Sequence, residues 1–418
     1  MAAPSLPTEQ PKPPIPSAVA AWGKKAGKAL GMPLGSVVVS FVLGAVIVLI
    51  TGGNPITAYQ GLLCGGVGVF CSGDNFGGFS TASQFSQMLL YLTPLMLTGL
   101  SVAIAFRAGL FNIGAEGQLI VGAIATTFVG IHLASLPGAL LVPLVLLAGM
   151  AAGAVWGGIV GVLKALTGAH EVVTTIMLNY IAQFFLLFLI VNGPMQQKGA
   201  FSRSDPIGNH AKLPTFTLPG SVYPVHYGLL VALGAVIVFA FLMKRTALGY
   251  EIRAAGQSQR AARYAGVSVK RTVIVTMLIA GAFAGLAGAV QIAGLRFQLT
   301  DSYQPDTTGF DAIAVSLLGA NAGIGIVLSG ILFAALDAAR TPLQLGANIS
   351  SHLTDILQAL ILFCIAANFL RFVKLRIPSL SKRPSADAVA EPGVAAVATD
   401  VDPAARVDAG MGAGLPGE

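Results

Sequence analysis

Long apolar runs recur along the chain, and they constrain its fold more than any other feature. Most of them approach the roughly 20 residues that a helix needs to cross about 30 Å of hydrocarbon. They show no sustained period-two alternation, so they predict helices and not barrel strands. The runs lie near residues 36–51, 84–105, 112–133, 138–163, 171–192, 227–243, 272–293, 309–320, 323–340 and 352–370. The sequence therefore predicts an all-α, polytopic membrane protein of about ten transmembrane helices.

The composition supports this class. Of 418 residues, 55% are hydrophobic and only 10% are charged, whereas a soluble domain is about a quarter charged. Such a chain cannot cover itself with a water-facing surface. Its 51 glycines fit tightly packed membrane helices, where small residues let the backbones approach each other.

The basic residues are distributed unevenly between the connecting segments. The net charge is +7, and most Lys and Arg residues fall on one side of the predicted bundle. The other side keeps Lys198, Arg203, Lys212, Arg296 and Arg340. By the positive-inside rule the basic side is cytoplasmic, and both termini fall there. Because membrane topology explains the basic surplus, no nucleic-acid partner is expected.

Composition also divides the chain. Residues 1–33 and 376–418 are rich in Pro, Ala and polar residues, so we expect two disordered cytoplasmic ends. Residues 34–375 then form the transmembrane domain. Its two loops at 52–83 and 193–226 are expected outside.

A third long connection, residues 244–271, differs in kind because it carries seven basic residues against the single acid Glu251. Breaks at Gly256 and Gly266 predict two short helices lying against the membrane. The segment is longer than a plain connector needs to be. It fits a docking surface for a partner, and attraction to anionic lipid is the alternative explanation.

Two segments do not fit plain spanning helices. Residues 106–118 place three glycines and several polar residues between two apolar runs, and residues 309–325 contain an apolar stretch too short to span. Irregular backbone at membrane depth occurs where it lines a cavity or is buried in protein, and interrupted helices mark transport pathways. The two segments lie on either side of the middle of the chain, which fits a five-plus-five internal repeat.

Several polar residues in or near these segments are candidates for lining a pathway. An unpaired charge at mid-bilayer costs at least about 2.5–3.5 kcal/mol, so such residues usually face a pore or a partner. The alternative is local hydrogen bonding that holds each break together. The candidates are Asn112, Glu116, Gln118, Asn179 and Asp311. The amides of Asn112, Gln118, Asn179 and Gln183 carry both donors and acceptors, which suits a neutral, hydroxyl-rich solute better than an ion.

The remaining acidic residues and the cysteines have simpler interpretations. Glu171 and Asp355 sit at helix starts and are read as caps, and Asp337 is expected to pair with Arg340 three residues on. Two other residues, Cys64 and Cys71, lie seven apart on the outer side. Either a local disulfide or two free thiols fits that spacing.

Catalytic and metal-binding patterns are missing from the sequence. There is no G-x-x-x-x-G-K-[ST] phosphate loop, so the chain is not expected to hydrolyse ATP. The five histidines and three cysteines lack metal-ligand spacing. We therefore expect no enzyme activity in this chain, no metal and no cofactor.

Four segments, at residues 97–123, 170–182, 249–267 and 309–336, carry a resemblance to a known family. They read LTGLSVAIAFRAGLFNIGAEGQLIVGA, HEVVTTIMLNYIA, GYEIRAAGQSQRAARYAGV and GFDAIAVSLLGANAGIGIVLSGILFAAL. Together they resemble the permease subunits of bacterial ABC importers that serve simple sugars and nucleosides, with the strongest likeness to nucleoside-importer permeases. The resemblance covers roughly residues 36–375. The insertion at residues 64–79, and His170 in place of Asn or a similar residue, depart from the family pattern.

The resemblance implies an importer permease in the cytoplasmic (inner) membrane, with partners. These would be ABC ATPase subunits, a second permease subunit (identical or homologous), an extracellular binding protein and membrane lipid. The implied ATPase-coupling residues are Glu251, Arg253, Ala255 and Gly256. Nucleosides are the expected substrate. Simple sugars such as pentoses or galactosides are the alternative, and an ion-coupled secondary transporter is a further one.

Overall fold

The computed structural model describes residues 34–71, 76, 78–199, 202–301, 303 and 308–366. Helices dominate this part of the chain, and its sheet is confined to one short hairpin. The predicted all-α class is therefore confirmed. The expected disordered ends, residues 1–33 and 376–418, lie outside the described residues, as does the stretch from 367 to 375.

Fourteen α-helices lie within the described residues. They are α1 Leu34–Ile50, α2 Pro55–Val67, α3 Thr81–Arg107, α4 Ala115–His132, α5 Gly138–Thr167, α6 Glu171–Val191, α7 Gly228–Arg245, α8 Ala247–Gln257, α9 Gln259–Tyr264, α10 Val269–Gln291, α11 Thr308–Leu318, α12 Gly323–Ala338, α13 Arg340–Leu345 and α14 His352–Ala366. A π-helical turn, Ile292–Arg296, extends α10. Two strands, β1 Thr215–Phe216 and β2 Val225–His226, pair antiparallel.

Length and composition identify the helices that can cross a membrane. Within the described residues, six are long and apolar enough, namely α3, α5, α6, α7, α10 with its π turn, and α12 with α13. Three apolar helices are shorter: α1, α11 and α14. The chain is therefore a multi-pass membrane protein.

The helical bundle has two ends, which we name by their contents. Helices α8 and α9 follow α7 and precede α10, and they mark the basic end. Residues 193–226 lie at the opposite loop end, where Leu213 N donates to Ala293 O at 2.8 Å and Ser80 Oγ donates to Gly220 O at 2.9 Å. The start of α3 and the end of α10 thus lie together at the loop end.

The centre of the bundle is built on α3 and α10. The apolar window of α3 is 83% buried, whereas those of α5 and α6 are only 22% buried. Glycines explain how α5 packs so closely on α10: a Cβ added at Gly153 would clash with Gly281 O, and one at Gly285 would clash with Gly149 O. The exposed faces of α5 and α6 remain for lipid or for a partner.

Side-chain caps determine where the helices of the basic end begin. Thr246 Oγ1 accepts from Gly249 N at 3.0 Å and starts α8, and Ser258 Oγ accepts from Ala261 N at 3.3 Å and starts α9. The sequence predicted a break at Gly256, but α8 continues through Gly256 and ends at Gln257. The break lies at Ser258 because Ser is a strong N-cap residue. Gly266 follows α9 with a φ of +81°, as a terminating glycine does.

Candidate functional site

Within the first broken segment, residues 106–118, the stretch 108–114 connects α3 to α4 without helix. The side-chain amide of Asn112, in this stretch, makes three hydrogen bonds. Its Nδ2 donates to Ser101 Oγ at 3.3 Å and to Gln118 Oε1 at 3.1 Å. Its Oδ1 accepts from Gly114 N at 3.1 Å. Gln118 Nε2 returns a bond to Asn112 Oδ1 at 3.2 Å. Both side chains are buried, with 0% exposure for Asn112 and 1% for Gln118.

This geometry gives Asn112 and Gln118 a local role. We predicted that they line a pathway, but in this conformation their amides satisfy each other and the broken backbone. The reason is that a buried break exposes unpaired backbone groups, which need partners. Asn179 serves the same break from α6: its Oδ1 accepts from Gly117 N at 2.9 Å, and its Nδ2 donates to Ile113 O at 3.0 Å.

Glu116 faces a cavity instead. Its volume is about 250 Å³, and it is lined by Glu116, Ile120, Ile176, Asn179, Tyr180, Gln183 and Phe310. We call it the Glu116 cavity. The Oε2 atom of Glu116 is buried and has no hydrogen-bond partner among the described residues. Asn179 thus borders this cavity and also hydrogen-bonds the backbone at Ile113 and Gly117.

The two broken segments meet at this point. A Cβ added at Gly309, in the first turn of α11, would lie about 2.5 Å from Glu116 Cβ, and glycine is what allows α11 to approach α4. The next residues line separate cavities: Phe310 borders the Glu116 cavity, and Asp311 does not.

Asp311 lines a second space of about 240 Å³, the middle cavity. Its walls are Phe310, Asp311, Ala314, Asp355, Gln358, Ala359 and Leu362. The structure therefore keeps Glu116 and Asp311 in two cavities, with Phe310 shared between them. Side chains of α14 complete the middle cavity.

A third and larger space lies toward the loop end, and we call it the loop-end cavity. It measures about 530 Å³ and is lined by Leu90, Tyr91, Pro94, Leu95, Gln291, Leu295, Arg296, Thr308, Asp337, Arg340 and Asp355. Asp355 also lines the middle cavity. Asp355 thus borders both the loop-end and the middle cavity, and Phe310 borders both the middle and the Glu116 cavity.

An ion-pair network forms one wall of the loop-end cavity. Arg340 Nη2 lies 3.0 Å from Asp337 Oδ1 and 2.6 Å from Asp355 Oδ1. Gln358 Nε2 donates to Asp337 Oδ1 at 3.0 Å, and His352 Nδ1 lies 3.1 Å from Asp355 Oδ2. The predicted pairing of Asp337 with Arg340 is present.

Asp355 lies in the first turn of α14, as predicted, and its carboxylate pairs with Arg340 and His352, which was not predicted. Sequence reasoning also missed that this network borders a cavity. The only local signal was the presence of two acidic residues in adjacent apolar helices. Glu171 likewise lies in the first turn of α6, as predicted, and it pairs with Lys164 at 2.7 Å, at the junction of α5 and α6.

At the basic end, α8 rests on the end of α3. A Cβ added at Gly256 would clash with the carbonyl oxygen of Arg107, so α8 approaches α3 closely at this glycine. The Arg107 guanidinium in turn donates to Asn321 O, from Nε at 3.0 Å and from Nη2 at 2.9 Å. Asn321 lies in the turn between α11 and α12, which belongs to the second broken segment.

The predicted coupling residues divide between surface and interior. Glu251 and Arg253 are half-buried and Gly256 is exposed, whereas Ala255 is only 4% exposed and packs inward. Ala255 is thus placed to support α8 and not to face a partner, because the apolar side of an amphipathic helix turns toward the bundle. Sequence reasoning missed the residues that α9 presents outward, Arg260, Arg263 and the 94% exposed Tyr264.

The remaining predicted pair lies at the loop end. Cys64 and Cys71 are joined by a disulfide with a Cα–Cα distance of 4.8 Å, and both are buried beside Phe76. This bond encloses the end of α2. Within the described residues, no group of three or more His, Cys, Asp or Glu side chains is arranged to hold a metal ion.

The fold and these cavities define a class: a multi-pass helical membrane protein with cavities lined partly by charged and amide side chains, and with an amphipathic helix pair at one end. The sequence profile of a family described as the permease component of a branched-chain amino acid transport system matches residues 84–366. The chain belongs to this family of ABC permeases.

Relatives of known name cover most of the chain. A nucleoside ABC transporter permease protein, NupB, of Lactococcus lactis is 35% identical over 87% of this chain and 97% of its own length. A guanosine ABC transporter permease protein, NupP, of Bacillus subtilis is 36% identical over 82% of this chain and 94% of its own. A glucose ABC transporter permease protein, TsgB13, of Haloferax volcanii is 36% identical over 87% and 93%. No solved structure matches the chain.

Proposed function

We propose that this chain is the transmembrane permease subunit of an ATP-driven importer that moves nucleosides across the bacterial cytoplasmic membrane. The contact of α8 with α3 at Gly256 and Arg107 is the observation that carries this proposal. It joins an exposed helix pair at the basic end to the broken segments that border the cavities. The similarity to the nucleoside and guanosine permeases supports the choice of solute.

ATP hydrolysis belongs to a partner in this proposal. An ABC ATPase subunit docks on α8 and α9 through Glu251, Arg253, Gly256 and the outward residues Arg260, Arg263 and Tyr264. Closure of the ATPase around nucleotide pushes α8, and α8 moves the end of α3 and the turn at Asn321. Alternating access of the cavities follows from that displacement.

We further propose ten crossings, formed by α1, α3, α4, α5, α6, α7, α10, α11, α12 and α14. An even number keeps both termini on the cytoplasmic side, where the positive-inside rule locates the basic end. The two broken segments, residues 106–118 and 309–325, would then be corresponding parts of a five-plus-five repeat. Their contact at Gly309 and Glu116 supports that arrangement.

Other partners follow from the exposed surfaces. A second permease subunit, identical or homologous, covers part of the exposed faces of α5 and α6, and membrane lipid covers the rest. An extracellular binding protein delivers the solute to the loop end, where Val222 and Tyr223 are exposed. Attraction between the basic end and anionic lipid coexists with ATPase docking.

Glucose import is the second candidate function, and the glucose permease of Haloferax volcanii favours it. Pentoses and galactosides belong to the same class. Uptake by membrane vesicles that contain the permease, the ATPase and the binding protein discriminates between them. We expect radiolabelled adenosine or guanosine to enter with ATP inside the vesicle, and excess unlabelled glucose to leave the rate unchanged. Competition by glucose and not by nucleosides would favour sugar import.

An ion-coupled secondary transporter is the rival from another class. Reconstitution of the purified chain alone separates the two mechanisms. We expect no uptake in response to a proton or sodium gradient, and ATP-dependent uptake once the ATPase subunits and the binding protein are added. Gradient-driven uptake by the chain alone would refute the proposed importer.

A further inference from the structure

The loop-end cavity combines charges of both signs with a substantial volume. Two carboxylates, Asp337 and Asp355, and two guanidinium groups, Arg296 and Arg340, line about 530 Å³. Their formal charges cancel. A cavity that carries no net charge offers hydrogen bonds without the electrostatic gain that an ion needs to leave water, so it favours a neutral polar molecule.

The walls of this cavity also have an apolar part. Leu90, Pro94, Leu95 and Leu295 line it together with Tyr91. Ligand sites for small molecules typically measure about 300–1,000 Å³ and combine apolar walls with a few polar groups. The cavity has both properties.

The carboxylates remain able to accept further hydrogen bonds. One nitrogen, Arg340 Nη2, serves both Asp337 Oδ1 and Asp355 Oδ1. An ionised carboxylate has about four lone-pair sites, and the bonds to Arg340, Gln358 and His352 use only some of them. Hydroxyl groups of a solute are suitable donors for the rest.

We propose that the loop-end cavity binds the transported solute, a neutral ring-containing molecule with several hydroxyl groups, through the Asp337 and Asp355 carboxylates and the Tyr91 ring. The inference rests on the proposed importer function and assigns its solute a binding place within one permease subunit. Asp355 also borders the middle cavity, and Phe310 separates the middle cavity from the Glu116 cavity. Solute leaving the loop-end cavity therefore passes these two side chains on its way inward.

Protection of an introduced cysteine tests the proposal directly. Leu295→Cys places a thiol in the cavity wall, in a background where the buried Cys364 is replaced by Ala; Cys64 and Cys71 are already bonded to each other. The permease–ATPase assembly is treated with a small methanethiosulfonate reagent in the presence of adenosine, glucose or glutamate. Val222→Cys, on an 80% exposed side chain at the loop end, is the control.

We expect adenosine at saturating concentration to slow modification of the Leu295→Cys thiol at least about five-fold, as mass action requires of an occupied site. Glutamate is expected to have no effect, and neither solute should protect the Val222→Cys thiol. In an added Asp355→Asn substitution, the half-protecting adenosine concentration should rise about 10-fold, the size expected for losing one hydrogen bond to a charged group. The matched variant Glu171→Gln, which also removes a carboxylate from an ion pair, should leave that concentration unchanged.

The outcomes separate this inference from the proposed function. ATP-dependent adenosine uptake by the complete transporter without protection of the Leu295→Cys thiol would overturn the cavity assignment and leave nucleoside import standing. Protection by glucose and not by adenosine would support the cavity and overturn the choice of nucleosides. Protection by glutamate would overturn the inference that the cavity binds a neutral solute.

Discussion

The guanidinium of Arg107 and the carbonyl oxygen of Asn321 are joined by two hydrogen bonds although 214 residues separate them in sequence. The same Arg107 supplies the backbone oxygen on which Gly256 of α8 packs. One residue at the end of α3 thus contacts both the helix that we propose as the ATPase contact and the turn that follows α11. We expect displacement of α8 to reach the second broken segment through this residue.

Replacing Gly256 tests this contact. Gly256→Ala adds a Cβ that clashes with Arg107 O, a backbone atom that cannot rotate away. Overpacking of this kind costs about 1–3 kcal/mol, and α8 must shift to relieve it. We expect the assembled transporter to hydrolyse ATP with a reduced amount of solute moved per ATP. The measurement is the ratio of nucleoside uptake to phosphate release in proteoliposomes.

The matched control is Gly234→Ala in α7, where an added Cβ meets no atom within 4 Å. Both substitutions place Ala in a helix, so their helix propensities change alike. Equal ratios of uptake to hydrolysis in the two variants would argue against a role for the contact of α8 with α3.

Replacing Arg107 tests the next contact along the same path. Arg107→Gln removes the two hydrogen bonds to Asn321 O, and loss of a charged hydrogen bond costs about 1.5–3 kcal/mol. We expect a lower melting temperature and a ratio of uptake to hydrolysis that falls as in Gly256→Ala. Lys198→Gln, which removes an exposed positive charge at the loop end, should change neither quantity. A normal ratio with reduced stability would limit Arg107 to a structural role.

Asn112 and Glu116 should respond differently to substitution. Asn112→Ala leaves Gly114 N and the Gln118 side chain without their partners, and an unsatisfied buried group costs about 1–3 kcal/mol. We expect a lower melting temperature in detergent and less assembled transporter. Glu116→Gln keeps the shape and should leave stability near wild type while changing the uptake rate. Reduced stability in Glu116→Gln, with an altered uptake rate but normal stability in Asn112→Ala, would mean that Glu116 stabilises the broken segment and that Asn112 takes part in transport.

His226 makes stability depend on pH. The imidazole is 1% exposed, and its burial lowers the pKa of His226 to about 4. Between pH about 6.5 and 4 the denatured chain binds a proton that the native chain does not, so stability falls as the pH decreases through that window, by at most about 3 kcal/mol. Melting temperatures at pH 7.5 and 5 measure the effect. His226→Gln should reduce this fall.

The disulfide between Cys64 and Cys71 predicts how many cysteines a thiol reagent can modify. After denaturation without reductant, iodoacetamide should modify only Cys364, whereas all three cysteines should react after reduction. Cys71→Ser should destabilise the loop end by about 2–3 kcal/mol, the size expected for closing a short loop. Cys364→Ser serves as the matched variant, because it removes a thiol without opening the loop. Three modified cysteines without reductant would contradict the pairing.

Features with local signals could be predicted from the sequence. Apolar runs predicted the helices, and glycines marked the interruptions near residues 109–114 and between Gly319 and Gly323. The pair of Asp337 with Arg340 could also be predicted, because residues three apart share a helix face. Two short helices in residues 244–271 followed from glycine spacing, although the break falls at Ser258.

Features that depend on packing between distant helices could not be predicted. The second carboxylate on Arg340 comes from Asp355 on α14, and no local pattern indicates that α12 and α14 meet there. The burial of Ala255 depends on which side of α8 faces α3. The mutual hydrogen bonds of the Asn112 and Gln118 amides likewise depend on how the 108–114 stretch folds back on α4. In each case the partner is set by tertiary contacts.

The glycines that join α5 to α10 restrict which parts of this protein can move. The backbone of each helix fills the space that a Cβ at Gly153, Gly281 or Gly285 of the other helix would need. Because the two helices are packed this closely, neither can slide or rotate against the other. We therefore expect α5 and α10, which extend from the basic end to the loop end, to move together as one rigid body. A second structure, with the cavities open to the other side of the membrane, should then show the packing of α5 on α10 unchanged. The rearrangement should be confined to the other helices.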